Sequence, residues 1–152
     1  MYLILVLASG GKVEVPRHLF LQGDIGIGKS SLIKKALLPH LDKVGGFFVQ
    51  RIFVADHNVA FKMVPVSTAN DYKLSIFVDS LDGQDNLFLH CNSDNKWQMN
   101  LQVFEDHGLA CLRQCSDVHK KLVVMDELGG IELRCPAFMD AVLEVLDGVT
   151  PV

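Results

Sequence analysis

The chain has 152 residues, 49% hydrophobic and 21% charged, with a formal net charge of −4 and a pI near 5.8. That is material for one well-buried core, so a single domain over residues 1–152 is expected. The acidic balance excludes a general nucleic-acid binder, since Lys34-Lys35 and Lys120-Lys121 are too short to make a basic stripe.

In chain order, the opening run Tyr2–Ala8 is apolar but shorter than a membrane span and has no basic residue before it. Neither a membrane anchor nor a signal peptide is expected. Met1–Lys12 reads equally as an edge strand or a loose arm. A strand is expected over 18–23, feeding Gly23-Asp24-Ile25-Gly26-Ile27-Gly28-Lys29-Ser30, a complete G-x-x-x-x-G-K-[ST] loop followed by Ser31. Glycines let successive N–H groups wrap a phosphate at the start of the next helix. Lys29 brings a cation to the β- and γ-oxygens, and the Ser30 hydroxyl takes a Mg²⁺ position. The chain is therefore expected to bind nucleotides.

A helix is expected from Lys29 to about Leu41, with Leu32, Ile33, Ala36 and Leu37 on one apolar face and Gly45-Gly46 stopping it. Between about 47 and 91 the runs become short and β-rich. Phe47–Ala55 and Val59–Val66 read as a hairpin across Asp56-His57-Asn58, and Lys73–Val78 and Asn86–Cys91 as a second pair across Asp82-Gly83-Gln84. These are expected as an antiparallel excursion on one edge of a largely parallel sheet flanked by helices, an α/β fold.

Helical spacing returns from Asn100 to about Gln114, despite Gly108, and Pro136–Leu146 is a final helix with Pro136 in its first turn. Cys111, Cys115 and His119 recur every fourth position, but no C-x-x-C pair accompanies them, so the thiols are expected as reduced, buried small hydrophobes. Between the helices, Leu122–Met125 is a buried strand ending in Asp126 and Glu127, the form of a Walker B strand. Ligands bind at the carboxyl ends of such strands. Asp126 is placed to hold Mg²⁺ and Glu127 to polarise an attacking water as general base.

With both motifs in place, the chain resembles the small P-loop nucleoside-triphosphatases of the hyperthermophile and cancer-related nucleoside-triphosphatase type, over about residues 18–152. The resemblance rests on HLFLQGDIGIGKSSLIKKA at 18–36, GFFVQR at 46–51, VAFKMV at 59–64, VFEDHGLA at 103–110 and LVVMDELGGIEL at 122–133. It implies a P-loop fold of the catalytic-glutamate division and slow hydrolysis of ATP, GTP and other nucleoside triphosphates with Mg²⁺. By matching positions, it implies Lys29 and Ser30 at phosphate and metal, Asp126 at the metal, and Glu127 at the water. The chain departs from the family where Gly130 replaces the usual basic residue, where relatives add a strand after Val-Thr-Pro-Val, and in Met1–Val15, which has no counterpart. A gap or uncovered edge in the sheet is therefore expected.

Arg51 and Arg134 are the candidates for an arginine that neutralises transition-state charge, each weighed against an ordinary surface arginine. Trp97 is expected to be a buried anchor rather than a base-stacking residue. Phe47, Phe48, Phe53, Phe61 and Phe104 are expected in the core. A cytoplasmic enzyme acting on ATP and GTP, with no nucleic-acid or membrane partner, is the leading reading. A P-loop kinase lacks its arginine-rich lid here, and a nucleotide-gated binding module has no need of Glu127.

Overall fold

The computed structural model describes residues 18–68, 72–116 and 119–152; the opening arm, Met1–Val15, lies outside them. At the centre is β1, Val44–Val54, buried almost continuously through Gln50. An apolar run without alternation is what a strand covered on both faces requires. On one side β1 pairs antiparallel with β2, His57–Pro65. On its other side it pairs in parallel with β6, Leu122–Asp126, along Val44–Phe48, and with β3, Ser75–Phe77, along Arg51–Phe53. Outward from β2 come β4, Leu87–Cys91, and β5, Trp97–Met99, both antiparallel to their neighbours.

The sheet is therefore mixed rather than largely parallel. The expected hairpin is present, turned by Ala55 and Asp56 at φ 45° and 65°, the twist that two-residue hairpin turns favour. The second expected pair is not a pair. β3 joins β1 while β4 joins β2, so the chain between them crosses from one side of the hairpin to the other.

Gly45-Gly46, expected to end a helix, lie inside β1. Gly46 has φ +93°, and a Cβ there would sit 1.9 Å from the Val124 carbonyl oxygen. Only glycine lets β6 approach so closely.

Two apolar clusters sandwich the sheet. One face carries Val44, Phe48, Val66, Tyr72 and Val124, covered by Ile33, Leu37 and Leu41. These last come from α1, Lys29–Leu37, and the 3₁₀ turn Leu38–Lys43 that follows it. Leu32 and Ala36, expected on the same helix face, are more exposed and join Ile33 and Leu37 in lining an apolar cleft. The other face carries Phe47, Met63, Phe88, Phe104, Leu112, Phe138 and Val142. It is covered by α2, Leu109–Arg113, and α3, Pro136–Asp147. One widened turn, Phe104–Gly108, leads into α2. Gly108 is needed there because a Cβ would stand 2.7 Å from the Phe138 ring.

Phe47, Phe48 and Phe104 are buried, whereas Phe53 and Phe61 are half-buried. Trp97 is not the buried anchor expected: it is 49% exposed on β5, against Phe61. Cys111 and Cys115 are buried, and burial pushes their thiols up to about 12 and about 11.

The lead-in to the glycine loop, expected as a strand over 18–23, is extended but forms no ladder. Leu19 N–H donates to Val152 O at 2.7 Å, and Val123 N–H donates to Pro151 O at 2.8 Å. Pro151 and Val152 thus stand between the lead-in and β6, and beyond them opens an apolar cleft of about 690 Å³.

Candidate active site

The parallel pairing of β6 with β1 brings the carboxyl end of β6 beside the start of α1. Two glycines of the intervening loop adopt left-handed backbone, Gly26 at φ 81° and Gly28 at φ 100°. Gly28 is the residue from which α1 starts, with no side chain capping it and no acidic residue in the first turn. The first N–H groups of the helix therefore have no capping side chain or acidic residue of their own turn as partner, the arrangement that attracts an anion. Lys29 folds back over the loop, its Nζ donating to Gly23 O at 2.7 Å and to Asp24 O at 3.0 Å.

Ser30, the second residue of the helix, donates from Oγ to Asp126 Oδ1 at 2.9 Å. Asp126 is buried, and its Oδ2 has no hydrogen-bond partner. Burial is the main influence raising its pKa, and the Glu127 charge adds to it. Ser30, Tyr72 and Lys29 pull the other way. Glu127 leaves the strand and is exposed, with its Oε1 close above Gly129. Oxygen donors of this kind suit a hard divalent cation.

A pocket of about 210 Å³ joins these parts, lined by Ile25, Gly26, Gly28, Lys29, Ser30, Ser31, Asp126 and Glu127. Of the residues expected in the phosphate loop, Gly23, Asp24 and Ile27 do not line it; the first two instead hold Lys29 through their carbonyls. Arg51 lines the pocket from β1, whereas Arg134 lies away from it, with Nη1 on Met99 Sδ at 3.7 Å.

Val49 of GFFVQR also lines the pocket, as do Leu74 and Ser75, which carry no motif in the sequence. They arrive through pairing of β3 with β1, a contact no local signal announces. Glu132 is buried and accepts the Gly130 N–H at 2.8 Å. Gly130 has φ +103°, so it serves a left-handed turn.

Among the described residues no helix is long and apolar enough to cross a membrane. The family model described as NTPase matches residues 18–152. Among curated proteins, the chain is 30% identical over 141 residues to the cancer-related nucleoside-triphosphatase homolog of Mus musculus, covering 86% of this chain and 69% of that protein. It is 28% identical over 136 residues to the cancer-related nucleoside-triphosphatase of Homo sapiens, covering 86% and 69%. Identity to nucleoside-triphosphatase THEP1 of Thermotoga maritima is 25% over 134 residues, covering 85% and 67%. No solved structure matches the chain significantly. A family match running from the lead-in of the glycine loop to the last residue, with relatives that are all nucleoside-triphosphatases, makes this chain a member of the NTPase family and a nucleoside-triphosphatase.

Proposed function

We infer that the chain hydrolyses nucleoside 5′-triphosphates such as ATP and GTP to the diphosphate and inorganic phosphate, with Mg²⁺ and with little choice of base. The observation that carries this reading is the 2.9 Å hydrogen bond from Ser30 Oγ to Asp126 Oδ1. It joins a hydroxyl and a carboxylate from two motifs 96 positions apart, and the unpartnered Oδ2 adds another oxygen. An all-oxygen set of this kind fits Mg²⁺. Ser30 would hold the ion directly and Asp126 through water. When bound with nucleotide, Mg²⁺ neutralises charge on the β- and γ-phosphate oxygens.

The remaining work falls to the chain's own groups. The N–H groups of the loop and the first turn of α1 hold the phosphates, and Lys29 exchanges its two carbonyl partners for β- and γ-oxygens. Glu127 accepts a proton from a water whose oxygen attacks the γ-phosphorus, while the β–γ bridging oxygen leaves with the bond's electron pair on the diphosphate. Arg51 faces the charge that builds on the transferring group. Substrates of this class point to work in the cytoplasm.

Base breadth follows from the sequence, which has no N-K-x-D element to read guanine. Phosphate release is to be measured from ATP, GTP, CTP and UTP, each with Mg²⁺ and with EDTA, and with no phosphoryl acceptor present. The expected result is similar turnover of the two purines and collapse in EDTA. A hundredfold preference for one purine overturns the breadth, undiminished release in EDTA overturns the metal, and no release at all overturns the hydrolase.

A further inference from the structure

Tyr72 lies outside both motifs, yet the fold delivers it to the acidic end of β6. Phe48 stands opposite Asp126 in the β1–β6 register. Tyr72 stacks on Phe48, with ring centroids 4.1 Å apart and an interplanar angle of 17°. It is fully buried, and its φ of +48° lies in the left-handed region, where an aromatic residue is rarely found. The segment after it is pinned to β1 by Gln50 Nε2 donating to Lys73 O at 2.7 Å and Arg51 N–H donating to Leu74 O at 2.9 Å.

The ring's hydroxyl lies beside the Asp126 carboxyl. Neither the hydroxyl nor Asp126 Oδ2 has a hydrogen-bond partner, although both are buried. Two buried polar atoms in that state each carry a desolvation cost that a bond between them relieves.

We propose that Tyr72 is a positioning residue for the metal site: its hydroxyl donates to Asp126 Oδ2 and holds the carboxylate in the rotamer that keeps Oδ1 on Ser30 and faces an Mg²⁺-nucleotide. A phenol is protonated at neutral pH, so the group has a proton to donate. Outer partners that orient a metal-holding side chain are worth about 10–100-fold in affinity. The proposal rests on the Mg²⁺ reading of this site, and it concerns binding rather than the hydrolytic step.

Tyr72→Phe removes the hydroxyl and keeps the stack on Phe48. The test compares affinity for a fluorescent nucleotide analogue in EDTA and along a Mg²⁺ titration, in parent and variant, with melting temperature as the check on folding. The expected result is unchanged affinity in EDTA and about a tenfold rise in the Mg²⁺ concentration for half-maximal enhancement. Superimposable Mg²⁺ titrations overturn the proposal, and so does an equal loss of affinity with and without Mg²⁺, which marks a purely structural role.

A measurement on the unaltered protein covers a variant that fails to fold. The chain has two tyrosines, so ¹³C labelling at the tyrosine ring carbon bearing oxygen gives two signals to assign. The Tyr72 signal should shift with Mg²⁺-nucleotide and not with nucleotide in EDTA; the same position in both overturns the proposal. A parent that binds Mg²⁺-nucleotide but releases no phosphate defeats the hydrolase reading alone, and the tyrosine comparison still decides this one.

Discussion

At the scale of single residues, Lys29 and Asp126 face opposite demands. Lys29 satisfies its ammonium on two exposed loop carbonyls, contacts worth little to folding and easily exchanged for phosphate oxygens. Lys29→Ala should therefore melt near the parent temperature, as surface substitutions do, while hydrolysis falls by ~10² or more. Parent-rate turnover in this variant would contradict the loop assignment.

Asp126 is the costly group, because its folded pKa is held above the ordinary carboxylate value chiefly by burial. The folded state then binds more protons than the unfolded chain, so this group's contribution is full below the unfolded pKa of about 3.9 and is lost as pH rises through the folded value. At pH 7 without Mg²⁺ the ionised form destabilises the fold. Asp126→Asn should melt higher than the parent at pH 7, with the gap closing toward pH 4, yet need about tenfold more Mg²⁺ for half-maximal rate. Identical melting at pH 7, or an unchanged Mg²⁺ requirement, would contradict this account.

At the scale of elements, the site depends on how tightly β6 lies against β1. Gly46 is the test position, since an added Cβ meets the Val124 carbonyl at 1.9 Å in a left-handed conformation. Gly46→Ala should cost about 3 kcal/mol or more, lowering the melting temperature by roughly 6 °C or more. Hydrolysis should fall with it, as the Asp126 end of the strand moves away from Ser30; a melting temperature within about 2 °C of the parent would contradict the close approach. The same glycine shows where sequence reading stops. The loop Gly23–Ser30, the Asp126-Glu127 strand end and the hairpin of β1 and β2 each carry their signal within a few residues and are legible, although the turn falls at Ala55-Asp56 and not at the expected Asp56-His57-Asn58. Gly45-Gly46 reads as a helix stop because the partner that requires Gly46, β6, lies some 80 positions away. Tyr72, Leu74 and Ser75 went unseen for the same reason: their roles arise from pairing with β1, and no local pattern encodes which strand β3 will join. Arg51, within GFFVQR, and Arg134 are both candidates in the sequence, and space separates them, one lining the pocket and the other on Met99.

At the scale of the whole molecule, the mixed sheet divides the labour. The antiparallel wing of β2, β4 and β5 encloses the larger apolar cluster with α2 and α3. The carboxyl end of β6 meets the phosphate loop, and the β1–β3 pair brings Val49, Arg51, Leu74 and Ser75 to the same pocket. The account treats this arrangement as a device for activating water, with binding and chemistry assigned to different groups. Asp126 and Glu127 are adjacent but differently placed: Asp126 ends β6, buried on Ser30, and Glu127 lies past the strand, exposed at the pocket. The most direct measurement is therefore phosphate release by the parent and by Glu127→Gln at saturating Mg²⁺-ATP without acceptor, alongside nucleotide affinity. The account predicts release by the parent, parent-like Mg²⁺-nucleotide affinity in the variant, and a rate lowered by ~10²–10⁴. A Glu127→Gln variant that releases phosphate at the parent rate would contradict it.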